Sequence, residues 1–415
     1  MRKVWPLTVR GTGAGALSIV CFVLAAELGV TELTYFGVLL AAVVLASLAA
    51  VSLTRRTDTV VRTIRPEVVH VGEESTVVTR VGVRTAVPTP PGTWHDTLGS
   101  GLSGTPEGVL PAIGSAMRNG QRTVEFRYTA RGTSRGIHTI GPLFIRTSDP
   151  FGLAVRRTRF DSRTTVTVAP AVVDLPALTQ YTGDSGGLLH STTHHLGQGA
   201  DNLVARPYAT GDSMRRIHWR ATAHRDTLMV RQEEQESTPE ATVVLDRGGE
   251  RWARDARYAP GRDPGFEAAV SACVSVVTRL VRDGYAVEVI DSDAAVLAER
   301  IDGGDLTEVD EMLTHFASLT ARREDDLSQV SRLFAGSSTG PVIVITGALS
   351  RADAAALTPL AHHSSFPVLF AVTPSEGALE DAAASGWHAA PIDIDGDFAD
   401  TWRATATPGA THVVA

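Results

Sequence analysis

Lysine is nearly absent from this 415-residue chain: Lys3 stands alone, and arginine carries almost all of the positive charge. A phosphate-binding Gly-x-x-x-x-Gly-Lys loop is therefore excluded, because no lysine follows residue 3. Any nucleotide hydrolysis must come from a partner. The bias toward arginine matches codon usage in a GC-rich genome. Cysteine is almost as scarce, with Cys21 in an apolar run and Cys273 in an expected helix. That placement argues against a disulfide between them and fits a reducing compartment. Neither sign of charge dominates: the formal net charge is −8 and charged residues make up 20%. A chain without a basic field gives no reason to expect nucleic acid as a partner.

Long apolar runs, in contrast, are present. Residues 11–30 are interrupted only by Glu27, and residues 33–53 carry no charge at all. Each reaches the roughly 20 residues needed to cross a hydrocarbon core of about 30 Å. A cleaved signal peptide is the competing reading of the first run, but the second follows across Thr31 and Glu32, so the pair reads as a helical hairpin. Arg2, Lys3 and Arg10 precede it, Arg55, Arg56, Arg62 and Arg65 follow it, and the turn carries only Glu27 and Glu32. Positive flanks stay inside, so both ends and the rest of the chain are expected in the cytoplasm, with Trp5 as an interfacial anchor. The expected location is the cell membrane, multi-pass.

The pattern then shifts to short alternating runs rich in Val, Thr, Ile and Phe: TVVRTI, STVVTRVGV, RTVEFRYTA, PLFIR and TTVTVAP. Alternation between Gly, Pro and Ser clusters predicts antiparallel strands in a small sandwich-like domain. Residues 86–119, rich in Pro, Gly and Ser, read as a long surface excursion. In Asp149-Pro150-Phe151-Gly152-Leu153 the Asp-Pro step predicts a turn, with Phe151 placed to plug the core.

The most distinctive stretch, residues 206–225, contains Arg206, Tyr208, Gly211, Asp212, Arg215, Arg216, Ile217, His218, Trp219, Arg220 and Arg225. Its arginines and aromatic residues could grip phosphate or a carboxylate surface, since guanidinium makes bidentate pairs. The favoured reading is that they pair with nearby Asp and Glu internally and fix a loop over the next domain. Residues 215–222 could form a helical turn or two, with Ile217 inward. The pattern R-x-Y-x-x-G-D-x-x-R-x-I-x-W-x-x-T-A resembles the signature of the "domain of unknown function 58" family. Gly141-Pro142 followed by Asp149-Pro150-Phe151-Gly152-Leu153 is similar to that family's second hallmark. The resemblance implies bacterial membrane-associated proteins with a β-rich region and a von Willebrand A-like domain. Such proteins are often encoded beside MoxR-type AAA+ ATPases, and their biochemical role is largely unassigned.

From residue 240 onward, apolar strands alternate with helices: strands at 241–245, 286–291, 295–301, 342–346, 368–372 and 388–394, helices at 266–282, 306–319, 326–334, 350–361 and 376–385. Such alternation predicts a parallel sheet covered on both faces, with ligands at the carboxyl ends of its strands. Von Willebrand A domains hold a divalent cation there with an Asp-x-Ser-x-Ser loop, and hard cations need clustered oxygens. This chain has Asp246-Arg247-Gly248-Gly249-Glu250 instead, and Gly347-Ala348-Leu349-Ser350 where a later carboxylate is expected. The site is read as a degenerate remnant, Asp246 and Glu250, which could at most catch an ion from outside.

The fold expected is therefore multidomain: a transmembrane hairpin (1–56), a β-sandwich-like domain (57–175), a linker with the family signature (176–239), and an α/β von Willebrand A-like, Rossmann-type domain (240–405). The function expected is a membrane-anchored cytoplasmic scaffold, not an enzyme and without a cofactor, working with a MoxR-type AAA+ ATPase. Arg206, Tyr208, Gly211, Asp212, Arg216, His218 and Trp219 are its candidate binding residues. Two other readings are weighed against it: a metal-dependent adhesion module, and a hydrolase using Asp212 and His218 as an acid–base pair. Gly183-Asp184-Ser185-Gly186-Gly187 copies a serine-protease loop, but no upstream His has protease context. His190, His194 and His195, with His218 and His224, lack a cysteine partner for zinc.

Overall fold

The computed structural model describes residues 5–53, 56–83, 90–113, 122–178, 203–208, 214, 217–225, 227–233, 239–323, 327–333 and 339–406. The serine-protease-like loop and His190, His194 and His195 lie outside these residues. The chain divides into two compact units, Met1–Ala171 with Ala259–Arg262 and Leu313–Leu319, and Val172–Tyr258 with Asp263–Met312 and Thr320–Ala415.

The first unit begins with helices α1 (Val9–Leu28) and α2 (Thr31–Leu53), both long and apolar enough to cross a membrane. Thr8 caps α1 by accepting from the Gly11 N–H at 3.1 Å, and Gly29, at φ 67°, ends it in the left-handed turn that favours glycine. Between the helices the Ser18 hydroxyl donates to the Gly37 carbonyl at 2.8 Å. A Cβ at Gly37 would lie 3.3 Å from the Phe22 ring, so the small residue permits the close approach.

Ten strands follow: β1 (Arg56–Arg65), β2 (Val68–His70), β3 (Glu74–Val83), β4 (Gly92–Leu98), β5 (Leu102–Gly104), β6 (Glu107–Leu110), β7 (Arg122–Gly132), β8 (Gly136–Ser148), β9 (Val155–Phe160) and β10 (Thr164–Ala169). One sheet runs β1-β3-β7-β5 and the other β2-β10-β8-β4-β6, with β9 also paired to β8. Every pairing is antiparallel except the parallel contact of β10 with β2. Both sheets turn alternate residues into a single apolar cluster, Val77 and Phe126 from one, Trp94, Ile140 and Val166 from the other. Residues 86–119 are not simply a surface excursion. Within them β4, β5 and β6 bring Trp94, Leu102 and Leu110 into the core, because Pro, Gly and Ser punctuate three short strands.

An ion pair sits inside this core. Arg62 Nε and Nη2 donate to the two carboxylate oxygens of Asp96 at 2.9 and 3.0 Å, and both side chains are wholly buried. Tyr128 donates its hydroxyl to the same carboxylate at 3.0 Å, and burial beside that charge pushes the Tyr128 pKa up. Gly141 makes room for the pair: a Cβ there would stand 2.4 Å from the Ser162 carbonyl and 3.2 Å from Arg62 Nη2. The neighbouring Pro142 carbonyl accepts from Thr97 at 3.1 Å.

The turn at Asp149 forms as expected, but Phe151 does not plug the core; it is 62% exposed. Asp149 itself is the buried element, accepting from the backbone N–H groups of Phe151 and Ala154 at 2.8 and 2.6 Å. A turn shaped this way leaves its next carbonyls for the chain entering α1. Thr8 N–H donates to Leu153 at 2.8 Å, the Thr8 hydroxyl to Gly152 at 2.8 Å, and Val155 N–H to Pro6 at 2.7 Å.

The second unit opens with β11 (Leu203–Pro207), α3 (Trp219–Arg225) and β12 (Met229–Glu233), β11 pairing antiparallel with β12. Then come β13 (Glu240–Leu245), α4 (Pro264–Arg282), β14 (Ala286–Ile290), β15 (Val296–Ile301), α5 (Leu306–Phe316), α6 (Val330–Leu333), β16 (Thr339–Leu349), α7 (Arg351–His363), β17 (Ser364–Pro374), α8 (Ala378–Ala384), β18 (His388–Pro391) and α9 (Phe398–Ala406). The sheet order is β15-β14-β13-β16-β17-β18, parallel throughout except for β15. Val244, Val344 and Leu369 pack on one face with Leu357 of α7 and Leu379 of α8. Period-two alternation turns Val243, Ile343 and Phe370 to the opposite face, where Phe370 meets Phe398 and Trp402 of α9. Helix α4 is also apolar enough for a membrane, yet 72% of its apolar window is buried inside this unit, so its length serves a core. Helix α9 lies beyond the last expected strand, and Trp402 is wholly buried there, its indole N–H donating to Pro176 at 3.0 Å.

Candidate functional site

The carboxyl ends of parallel strands gather loops and backbone dipoles, and here they gather acids and arginines. Asp246 follows β13, Asp291 follows β14, and Thr346 lies near the end of β16. Asp246 is wholly buried. Its Oδ1 accepts from the Gly248 N–H and the Ser292 hydroxyl, both at 2.9 Å. Its Oδ2 accepts from the Thr346 hydroxyl at 2.8 Å and pairs with Arg251 Nε at 3.0 Å. A carboxylate offers about four lone-pair sites, and all are taken by protein groups. Burial pushes the Asp246 pKa up, while the bonds from Gly248, Thr346 and Arg251 pull against it.

Arg251 reaches this position because the loop after β13 folds back on itself. Its N–H donates to Gly248 at 3.1 Å, and its carbonyl accepts from Ala348 at 3.0 Å. Gly347 allows that crossing, since a Cβ there would fall 2.2 Å from the Arg251 carbonyl. The guanidinium then bridges two acids. Its terminal nitrogens donate to both oxygens of Asp353 at 2.9 Å, the bidentate geometry that Arg favours. Asp353 also completes the capping box at the start of α7 with Ser350. Burial alone would raise its pKa, but Arg251 and Ser350 outweigh burial and hold it down at about 2.

A second pair lies beside the first. Asp291 accepts at Oδ1 from the Arg247 and Ser292 N–H groups at 3.1 and 2.7 Å, and its Oδ2 faces Arg322 Nε at 3.1 Å. Arg322 also pairs with Asp293 and donates to the Ser292 hydroxyl at 3.1 Å. Burial raises the Asp291 pKa and lowers that of Arg247. Ser292 thus links the two networks through its hydroxyl.

Glu250 takes no part. It points to solvent and pairs with Arg257 at 3.3 Å, so the expected Asp246–Glu250 remnant does not assemble. The reason is the fold-back: Arg251 turns inward, and its neighbour is turned out. Among the described residues no group of three His, Cys, Asp or Glu side chains converges. The residues that sequence reasoning missed are Arg251, Ser292, Thr346, Asp353 and Arg322. Only Asp353 has a local signal, as the acid three residues after Ser350, the spacing of the capping box that opens α7.

The signature segment builds a small separate motif. Arg206 lies on β11 opposite Val230, and the Tyr208 N–H donates to Leu228 at 2.8 Å. Gly211, Asp212 and Arg216 fall outside the described residues. Ile217 is buried as expected and bridges to Val230, and the described helix α3 begins at Trp219. His218 caps α3 instead: its Nδ1 accepts from the Ala221 N–H at 3.0 Å. That bond makes Nδ1 an acceptor, which places the proton of the neutral ring on Nε2. Trp219 opens α3 and is 68% exposed.

No curated protein sequence matches the chain. Among solved structures, the CARDB domain of a Pyrococcus furiosus protein in complex with di-metal ions is 16% identical, covering 26% of this chain and 84% of that one at a TM-score of 0.18. The Pseudomonas fluorescens alkylpurine DNA glycosylase AlkC, bound to DNA containing an abasic site analogue, is 12% identical, covering 36% and 45% at a TM-score of 0.15. Likenesses at these scores carry no argument about fold or function. Residues 204–351, from β11 to the start of α7, match the model of the family described as protein of unknown function DUF58.

Proposed function

We propose that this chain is a membrane-anchored scaffold whose α/β unit is a von Willebrand A-like domain with an arginine in place of its cation. The observation that carries this reading is the Arg251 guanidinium, joined at once to Asp246 and to Asp353 where strand ends converge. A positive group held by two carboxylates does the electrostatic work of a divalent ion without exchange or chelation. The face so formed is rigid, which suits docking. The two sheets sharing one core support the sandwich reading of the β-rich region. Arginines flanking the apolar hairpin support an orientation with both units in the cytoplasm. By family resemblance the partner is a MoxR-type AAA+ ATPase, with exposed Trp219 as a contact, since tryptophan is enriched among the residues that anchor protein interfaces.

The test is capture of a MoxR-type ATPase by the detergent-solubilised full chain, with and without EDTA. Binding should be unchanged by chelator and weakened roughly tenfold or more by Trp219→Ala, a substitution on an exposed position. Capture that requires Mg²⁺ on the scaffold side, or that ignores Trp219, sinks the proposal.

A further inference from the structure

The first unit holds a cleft of about 810 Å³ between the last turn of α2 and β9, lined by Leu48, Val51, Ser52, Val155, Arg156 and Arg157. Its two walls differ in chemistry. One is the end of an apolar helix long enough to span a bilayer, so it stands at the depth where hydrocarbon gives way to headgroups. The other is the basic strand Val155–Phe160, with the sequence VRRTRF.

Three features fix this strand at that depth. Val155 N–H donates to Pro6 and Leu7 bridges to Ala154, tying the strand to the chain that enters α1. Arg156 donates to the Val51 carbonyl at 3.1 Å, closing the carboxyl end of α2 with a cation, where the helix dipole favours one. Trp5 and Phe151, on either side of the junction, are 68% and 62% exposed, as residues that enter an interface rather than a core would be.

The charge pattern points to an anion. Arg157 of β9 stands directly opposite Arg146 of β8 in the antiparallel register, and both are exposed. Like charges in that position repel unless a counter-charge lies between or beside them. Neither meets a carboxylate among the described residues.

We propose that this cleft binds the phosphate headgroup of an anionic membrane lipid, with Arg157 facing the phosphate, Arg146 adding to the field from the same face of the sheet, and Arg156 holding the cleft's wall to the end of α2. The acyl chains would continue along the apolar surface of α2, where Leu45 is 65% exposed. The inference does not rest on the docking face of the α/β unit.

The experiment uses the delipidated full chain in a neutral detergent, probed by native mass spectrometry with short-chain phosphatidylglycerol, phosphatidylcholine or inorganic phosphate at equal concentration. Phosphatidylglycerol should bind, and the other two should not. Arg157→Gln should weaken that binding roughly fivefold, the equivalent of about 1 kcal/mol for one arginine near an anionic surface. Arg300→Gln, an exposed arginine of the other unit, should leave it unchanged. Arg157 is exposed, so its replacement tests binding without threatening the fold. Equal binding of phosphatidylcholine, binding of phosphate as strong as that of lipid, or indifference to Arg157→Gln overturns the proposal.

Discussion

The Arg62–Asp96 pair of the first unit and the Arg251 network of the second both lie largely out of water, and they are built for different ends. In the first unit Arg62, Asp96 and Tyr128 form a closed set inside the core, with no exposed atom in the ion pair. Arg62 and Tyr128 come from one sheet and Asp96 from the other, so the bond fixes how the sheets face each other. In the second unit Arg251 retains 10% exposure and Asp353 21%, at the edge where loops reach solvent. A sealed pair that would lose to a well-packed apolar core in stability is understandable as a device of specificity. A pair at a strand-end edge is instead within reach of partners. The difference is one of access, not of chemistry.

Breaking the sealed pair should have the largest effect. Asp96→Ala leaves the Arg62 guanidinium buried without its counter-charge, at a cost of about 3–5 kcal/mol. Hydrogen exchange of β1, β4 and β7 in the full chain should accelerate together. Protection that survives in β7 would show that the sheets do not depend on the pair.

Arg251→Ala should cost less, about 2–4 kcal/mol, because Asp246 keeps its bonds from Gly248, Ser292 and Thr346. Removing the guanidinium also leaves Asp246 and Asp353 facing an open position with Ser292 and Thr346 close by. Oxygen donors so clustered suit a hard cation. Millimolar Mg²⁺ should therefore restore exchange protection to β13 and β16 in the variant and leave the parent chain unaffected. A variant indifferent to Mg²⁺ would mean that the arginine does not stand in for an ion.

The same contrast explains what the sequence made legible. Unbroken apolar length exposes the two N-terminal helices, helical spacing exposes α4, and short continuous apolar runs expose the buried strands around Val243 and Val344. Strands β4 to β6 were hidden because Pro, Gly and Ser interrupt them every few residues, and their core contributions, Trp94 and Leu110, are single residues without a period. Phe151 misled for the opposite reason: a large apolar residue suggests a core, whereas the structure places its neighbour Asp149 inside. The Asp246 loop is recognisable by its aspartate, yet the group completing it, Arg251, lies one residue past the Asp246–Glu250 segment. Its partner Asp353 lies 102 residues further on. Only the fold-back over Gly347 brings them together, and no local rule announces such a meeting.

The smallest effect expected, and the most diagnostic in sign, belongs to Asp353. Its pKa in the folded chain is held down at about 2, below the ordinary 3.8, so folding favours its charged form. The stability it contributes is complete above the ordinary value and is lost as pH falls from there through about 2. Asp353→Asn should thus cost about 1–2 kcal/mol near neutral pH, a figure reduced for its partial exposure, and almost nothing at pH 2. Asp246 and Asp291 run the other way, because burial raises their pKa values and the folded state favours their protonated forms. Their contribution declines as pH rises through the folded values. Urea unfolding of parent and Asp353→Asn chains across acid pH separates the two: curves that converge on acidification follow from Asp353 as an ionised partner of Arg251. Curves that stay parallel down to pH 2 would mean that Asp353 serves α7 only as a neutral cap, and that the edge network ends at Asp246.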